Sequence, residues 1–486
     1  MTNKLWVITL DGMCKTIMKD PLKEIINIVG NDHGIWGSDQ EGGISGNHIL
    51  SLPTELEHYS VDGIKPNLVV FSETIEEISE IMKVASSEHL AITPWGGGTK
   101  IGFGRVPDKV DVIVCTARLN RILEHEASDL IATAECGVSL KKFQAELREK
   151  NQFLAIDPPH VELGATVGGI IATNDSGPKR LKFGTMRESL IGIKVVKPDG
   201  SIVKGGAKVV KNVAGYDLPK LYVGSLGTLG IIVEGTFRLY PIPEASKTYL
   251  ATFPNLEIFQ ETVLSILNSS IVPTCFEVLN PDLISAISNN LNLNLKKEKY
   301  ALAVRIESVE KAVREQISKV KQISEEKNGE GILLKGDIEE NLWQEIREFP
   351  WRISCDNRTV CKASVLIADV PRVFQAAEEL CKKSGLKIYI SGRAGNGVLI
   401  FAIEVERPFD YAQGSPQEEM LAVVEAIKSL RALVSSLKGT LVIQDAPISI
   451  KSQVDVWGDL GTSHKVMEKL KNLFDPYQIL NPGRFI

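Results

Sequence analysis

The sequence predicts an α+β protein of two or three domains. Its 486 residues exceed what one hydrophobic core usually supports. Fourteen of its forty glycines fall between Pro158 and Tyr240, among runs of Val, Ile and Leu, so the backbone there bends tightly inside a packed structure. Short strand patterns alternate with helical patterns from residue 65 onward. These observations favour mixed helices and sheets built around a glycine-rich stretch.

Charge, hydropathy and cysteine usage narrow the classes of function. The net charge of −6 argues against nucleic acid as a partner. No apolar run approaches the ~18 residues of a membrane span, and the N-terminus lacks the pattern of a secretory signal. The cysteines are scattered without a CxxC pair, which predicts neither a zinc site nor an iron–sulfur centre in this chain. We therefore expect a cytoplasmic protein.

The order of patterns divides the chain into units. The N-terminal part holds one short amphipathic helix ending at Gly30. A strand at Leu68 to Phe71 and a helix from Thr74, with Glu77 completing a capping box, open the next unit, which Pro241 and Pro243 close. The expected units are residues 1–60, 61–243, 244–430 and 431–486.

A glycine cluster at residues 94–100, PWGGGTK, follows a short apolar run and therefore lies where a strand ends. Consecutive glycines let main-chain amides converge on phosphate oxygens, which suits a pyrophosphate. The cluster is not a GxGxxG opening a helix, so a Rossmann fold is disfavoured, and there is no Walker A lysine. The sequence predicts a cradle for a large phosphate-bearing ligand.

Five motifs in order carry a resemblance to a known family. They are PWGGGTKIGFG, DPPHVELGATVGGIIATNDSGP, LKFGTMRESLIGIKVVKPDG, AGYDLPKLYVGSLGTLGIIVEGTFRLYP and LFDPYQILNPGRF. Together they resemble the FAD-linked oxidases of the vanillyl-alcohol oxidase superfamily, in the glycolate oxidase and D-lactate dehydrogenase branch. The stretch KNVAGYDLPKLYVGSLGTLG is most similar to the E-type FAD-binding subunits of bacterial glycolate oxidases.

The resemblance implies a PCMH-type FAD-binding fold of two subdomains, joined to a ferredoxin-like α+β cap. It implies that FAD is the cofactor and lies extended between the subdomains. The residues that the motifs assign to FAD are Pro94, Gly96, Gly97, Gly98, Thr99, Lys100, Gly104, Pro158, Gly164, Ala165, Thr166, Gly168, Gly169, Asn174, Ser176, Gly177, Tyr216, Gly227, Gly230, Ile232 and Asn481.

For the cap, the resemblance implies an antiparallel sheet with helices on one face. Strand patterns lie near residues 274–279, 300–306, 360–367, 387–391 and 398–403. Met420 to Leu437 and Val466 to Phe474 are expected to be helices that return toward the flavin.

The cap departs from the family pattern at its metal site. Hydroxy-acid dehydrogenases of this branch carry HxHxGDGNLH and GEHG segments, because a divalent ion can polarise the hydroxy acid. Here the matching stretches are SGRAGNGVLI and GTLVIQDA, and no histidine lies between residues 161 and 463. We expect no metal at a histidine site in the cap.

Four residues are weak candidates for catalysis or substrate binding, and each has a structural alternative. Arg393 replaces a metal ligand, and Arg347 loosely matches the arginine of a family tryptophan and arginine pair; both could clamp a carboxylate or form structural ion pairs. His160 could accept a hydroxyl proton or be a loop histidine. Tyr216 falls near the flavin in the family or is a turn residue.

Three hypotheses for function remain open. The chain is an FAD subunit of a glycolate or D-lactate oxidising complex, acting beside a catalytic FAD-linked oxidase subunit and an iron–sulfur electron-transfer subunit. Alternatively, it is a stand-alone FAD dehydrogenase of a small 2-hydroxy acid without metal, or a scaffold subunit that handles no electrons. The first implies contact with the inner face of the membrane through partners, without a membrane span.

Overall fold

The computed structural model describes four short N-terminal segments and most of the chain beyond them. Those segments are Trp6–Val7, Lys15–Thr16, Pro21–Val29 and Ile49–Leu50, and the remaining described residues are 56–207, 217–295, 299–353, 358–405 and 416–485. Tyr216 lies outside the described residues. Helices and strands are mixed throughout, which confirms the predicted α+β class.

The first subdomain is a small four-stranded sheet with helices. The helix Ile75–Glu88 begins where Thr74 accepts a hydrogen bond from the Glu77 amide at 3.1 Å. This helix and Pro21–Val29 bury their apolar faces against the sheet, because their hydrophobic residues recur at helical spacing. The strands in spatial order are Ile49–Leu50, Leu68–Phe71, Val112–Cys115 and Ile92–Trp95.

The second subdomain is a five-stranded antiparallel sheet. Val196, Ile231 and Val233 of this sheet join the core of the first subdomain, so the two sheets are held together by apolar burial. The strands in spatial order are Ile202–Gly206, Leu190–Val196, Ile231–Arg238, Ile131–Glu135 and Ile122–Glu126. Around them lie the helices Leu140–Arg148, Val167–Thr173, Arg180–Phe183, Met186–Ser189 and Pro219–Tyr222 and the paired strands Gln152–Phe153 and Tyr240–Pro241.

Residues 245–445 form the cap, an eight-stranded sheet in which every pairing is antiparallel. Thr440–Asp445 is one of its edge strands, so the sheet extends beyond the bound predicted at residue 430. The strands in spatial order are Glu330–Leu334, Ala245–Phe253, Tyr300–Ser308, Cys275–Leu279, Leu386–Arg393, Val398–Val405, Thr359–Ser364 and Thr440–Asp445.

Helices cover both faces of the cap sheet, so the prediction of helices on one face is wrong. Alternate strand residues belong to two separate cores; Tyr249 and Ala251 face one of them and Leu250 faces the other. One core contains the helices Leu256–Leu267, Glu310–Glu326, Val370–Lys383 and Pro416–Ser436, and the other contains Pro281–Leu291 and Asp337–Arg352. The predicted helix near Met420 to Leu437 therefore packs on the cap sheet rather than returning toward the flavin.

The C-terminal helix Ser463–Phe474 does return to the second subdomain, where Phe474 meets Tyr222 edge to face. The buried contact of this helix is a polar one, made by Lys471 and Asp475. The Lys471 ammonium donates to the carbonyls of Thr228 and Leu480, each at 2.9 Å, and to the buried carboxylate of Asp475. Asp475 in turn accepts the amide protons of Ile479 and Leu480. This pair fixes the C-terminal residues beside the glycine-rich stretch.

Replacing Lys471 tests that fixation. Lys471→Met leaves the fully buried Asp475 carboxylate without its cation, so we expect the free energy of unfolding to fall by about 3–5 kcal/mol in denaturant titration. The matched Lys469→Met removes an exposed lysine from the same helix and should change it by less than about 0.5 kcal/mol. Equal small changes in both variants contradict the assignment.

Candidate functional site

An elongated cleft runs along the junction of the two smaller sheets. Its larger part spans about 700 Å³ including the open solvent at its mouth. A neighbouring part of about 430 Å³, measured in the same way, shares lining residues with it, among them Pro94, Gly96 and Gly169. The predicted FAD residues that line the cleft are Pro94, Gly96, Gly97, Gly98, Thr99, Lys100, Pro158, Ala165, Thr166, Gly168, Gly169, Gly227, Gly230, Ile232 and Asn481.

The walls of the cleft are main chain held too close for side chains. A Cβ on Gly97 would lie 2.2 Å from the Gly164 carbonyl oxygen, and Gly98 adopts a φ of +69°. Thr166 caps the helix Val167–Thr173 by accepting the Gly169 amide proton at 3.2 Å. Two glycine-rich loops therefore meet main chain to main chain, and in the second loop the Gly168 amide donates to the Cys136 carbonyl at 2.8 Å. This cradle fits an extended dinucleotide with a pyrophosphate.

Six predicted FAD residues do not line the cleft or cannot be placed. Gly104, Gly164 and Gly177 shape the loops around it; Gly177, for example, packs against Asp157. Asn174 ends the helix with a φ of 50°, and Ser176 is bound by the cap. Tyr216 lies outside the described residues.

Lys100 joins one end of the cleft to the cap. Its ammonium lies 3.0 Å from Asp175 Oδ2, 3.4 Å from the centroid of the Trp351 ring and 3.4 Å from Gln444 Oε1. Burial lowers the pKa of Lys100, and Asp175 opposes this. Burial opposes ionisation of Asp175, but Lys100 and Lys362 outweigh it and lower the pKa of that carboxyl. Sequence reasoning missed Asp175, Trp351 and Gln444.

His160 lies beside this ion pair and is buried. Its amide donates to both Glu348 oxygens at 3.0 and 2.9 Å, and its ring meets Trp351 edge to face at 5.0 Å. Both ring nitrogens lack a hydrogen-bond partner among the described residues. Burial, helped by the charge of Lys100, lowers the pKa of His160 to about 4, so the imidazole is neutral at pH 7.

The two candidate arginines are held by protein groups. Arg393 donates both terminal nitrogens to Ser176, one to the hydroxyl at 3.2 Å and one to the carbonyl, and its Nε lies 3.6 Å from Glu277 Oε1. Burial raises the pKa of Glu277 to about 7, and Arg393 opposes the rise. Arg347 contacts Glu348 at 3.4 Å. Arg393 therefore fastens the cap to the cleft.

Lys362 is the group that sequence reasoning missed most clearly. It lies on the cap strand Thr359–Ser364, and among the described residues its ammonium has neither a hydrogen bond nor an ion pair. Burial lowers its pKa to about 8; Asp175 opposes this shift, and Arg393, Arg180 and Lys100 add to it. The sequence feature that could have pointed to Lys362 is its position as a single lysine between the small apolar residues Cys361 and Ala363.

The stretch that replaces GEHG carries an ion pair instead of metal ligands. Asp445 Oδ2 accepts from Arg358 Nε at 2.9 Å. Within the described ranges there is no group of three or more His, Cys, Asp or Glu side chains arranged to hold a metal ion. Lys100 lines the cap end of the cleft, and the charges of Lys100, Arg180 and Arg393 act on Lys362 in the cap.

Comparison with known families decides the identity. Residues 66–206 match the profile of the FAD binding domain, and residues 242–443 and 460–485 match that of the C-terminal domain of FAD linked oxidases. A D-lactate dehydrogenase of Archaeoglobus fulgidus is 30% identical over 435 residues, covering 86% of this chain and 91% of that protein. The chain belongs to the FAD-linked oxidases.

Other relatives place this FAD-linked oxidase in the glycolate oxidase and D-lactate dehydrogenase branch. Glycolate oxidase subunit GlcD of Bacillus subtilis is 27% identical over 482 residues, covering 96% of this chain and 97% of that one. Among solved structures, p-cresol methylhydroxylase with bound substrate superposes with a TM-score of 0.71 at 16% identity, covering 90% of this chain and 93% of that chain. That likeness supports the PCMH-type fold.

The oxidase is thus an FAD-dependent oxidoreductase. FAD supplies a two-electron acceptor when bound, and the glycine-walled cleft is the part of the described chain whose shape fits it. None of the helices in the described ranges is both long and apolar enough to cross a lipid bilayer.

The cleft assignment predicts how glycine variants behave. Gly97→Ala forces a methyl group against the Gly164 carbonyl, so we expect FAD affinity to fall at least about tenfold, or about 1.4 kcal/mol, by flavin fluorescence titration. Gly102→Ala, in the same loop, meets its nearest atom at 3.6 Å and should bind FAD like the parent. Unchanged affinity in both variants contradicts the assignment.

Proposed function

We propose that this oxidase uses FAD to oxidise a small 2-hydroxy acid of the glycolate or D-lactate kind without a metal ion. The names of its relatives, a glycolate oxidase subunit and D-lactate dehydrogenases, support this substrate class. We further propose that it works as one subunit of a complex with a catalytic FAD-linked oxidase and an iron–sulfur protein. Its finer assignment to the E-type subunits stays a prediction.

The unpaired ammonium of Lys362 is the observation that carries the proposal. A partly buried cation without a hydrogen-bonded partner is costly, and Asp175 offsets only part of that cost through its charge, so the site favours an anionic ligand. The positive charges of Arg180 and Lys100 also act on Lys362, and they strengthen the preference for an anion. A carboxylate placed against Lys362 would lie near the cap end of the cleft. Cationic side chains thereby take over the binding that a divalent ion performs in metal-dependent hydroxy-acid dehydrogenases.

The other candidates divide the remaining roles. Arg393 holds Ser176 with both terminal nitrogens, so we assign it to fixing the cap rather than to clamping substrate. His160 is neutral, and neither ring nitrogen has a hydrogen-bond partner among the described residues, although Nδ1 lies 3.9 Å from Glu348 Oε2. We therefore assign it the hydroxyl proton. Arg347 and Tyr216 receive no role in this proposal.

We propose that the electrons leave through another protein in the complex. The described cysteines, Cys115, Cys136, Cys275, Cys361 and Cys381, are all buried, and burial raises the pKa of each. Buried thiols at these scattered positions do not form a cluster site. A stand-alone dehydrogenase is the second candidate, supported by the relatives that are named D-lactate dehydrogenases without a subunit designation.

The pH dependence of kcat/KM tests the role of Lys362. With a pKa of about 8, its charge is present below that pH and lost above it, so kcat/KM for a 2-hydroxy acid should fall as pH rises through about 8. Lys362→Arg keeps the charge and should abolish that fall. Lys362→Met should lower kcat/KM roughly 10- to 150-fold at pH 7, mainly through KM. Lys387→Met, two strands away in the same sheet, serves as the control. An unchanged profile in both position-362 variants rejects the role.

Copurification tests the partner proposal. A tagged full-length chain isolated gently from its own cells should bring down a second flavoprotein and non-haem iron. The same chain stripped of partners by salt should retain FAD and carry no iron. If the chain comes down alone and turns over a 2-hydroxy acid with an artificial acceptor, the stand-alone candidate replaces the complex.

A further inference from the structure

The two ends of the FAD cleft differ in their surroundings. One end is lined by Trp95, Thr116, Gly230, Ile231 and Ile232, which all belong to the two smaller sheets and their loops. At the other end Lys100 and Asp175 line the cleft, and Lys100 reaches the cap residues Trp351 and Gln444. A substrate held beneath the cap can meet FAD only where the cap meets the cleft. The redox-active ring therefore belongs at the Lys100 end.

The charges at that end come as an opposed pair. Lys100 contributes a cation from the first glycine loop, and Asp175, 3.0 Å away, contributes an anion from the segment after the helix Val167–Thr173. Both side chains are largely buried, with 11% and 14% of their surfaces exposed, so solvent screens them little. Each charge therefore acts strongly on any group that changes its own charge nearby.

Reduction of FAD is such a change. Two electrons and one proton convert neutral oxidised flavin into the anionic reduced form, so the ring gains one negative charge. We propose that the Lys100–Asp175 pair sets the reduction potential of the bound flavin, with Lys100 favouring the reduced form and Asp175 opposing it. The sign follows from charge alone: a nearby cation stabilises the added electrons and a nearby anion destabilises them.

Removing the charge of Lys100 and removing that of Asp175 should shift the flavin reduction potential in opposite directions. Potentials are measured without substrate by equilibrating the FAD-loaded full chain with a reference dye during slow anaerobic reduction. Lys100→Met should lower the equilibrium constant for flavin reduction about tenfold or more, which is about 30 mV for a two-electron couple. Asp175→Asn should raise it, and Lys100→Arg, which keeps the charge, should leave it within threefold of the parent.

The control variant removes a lysine that lies away from the cleft. Lys194→Met breaks the Lys194–Glu234 pair on the five-stranded sheet, away from the cleft lining, and should leave the potential unchanged. A pair that only supports the loops would move both variants the same way or not at all, and either result overturns the proposal. If Lys100→Met fails to retain FAD, Asp175→Asn decides alone: a fall or no change rejects the inference.

This inference depends on FAD as cofactor and on the cap as the side from which substrate arrives. No hydroxy acid is present when the potentials are measured. Unchanged potentials would therefore not count against the proposed substrate. Equally, the potentials can still be interpreted if the protein turns out not to oxidise a 2-hydroxy acid.

Discussion

The constraint on which the rest of the structure depends is the close approach of two main-chain segments at the cleft. The Gly97 loop faces the Gly164 carbonyl at a separation that no side chain could enter. Backbone amides are obligatory donors, and phosphate oxygens would be suitable partners for those of the Gly97 loop. Everything else holds these loops in place: the apolar core shared by the two small sheets, the cap on the helix at Thr166, and the C-terminal segment anchored by Lys471.

The cap is fastened to the cleft by polar contacts in addition to the apolar packing of Phe103, Leu181 and Leu226 on the cap core. Arg393 binds Ser176, Lys179 pairs with Glu307 at 3.1 Å, and Glu348 accepts the His160 amide. Such contacts are directional, so they fix where cap residues stand relative to FAD. The same region holds the cations Lys100 and Lys362 together with the anion Asp175, and the described residues contain no group of three or more side chains arranged to hold a metal ion.

The cleft was largely predictable, because its residues are close in sequence and carry a local signal. A glycine loop after a strand and a glycine pair at the start of a helix each indicate a close approach to the main chain. The cationic site was not predictable in the same way. Lys362, Asp175 and Gln444 come from three distant segments and meet only in the tertiary structure, and a lone lysine in a strand is ordinarily a solvated one. The presence of helices on both faces of the cap sheet was not predicted for a related reason. An amphipathic pattern shows that a helix packs against a sheet, but it does not show which face of the sheet it covers.

We propose that main-chain walls hold FAD while side-chain cations, not a metal, hold the substrate. This proposal is tested most directly by anaerobic flavin reduction in protein exhaustively treated with a chelator, with metal content measured on the same sample. The account predicts about one FAD per chain, no stoichiometric divalent metal, and full loss of the oxidised flavin absorbance on adding the hydroxy acid. Reduction that disappears with chelation and returns with zinc or manganese would contradict it.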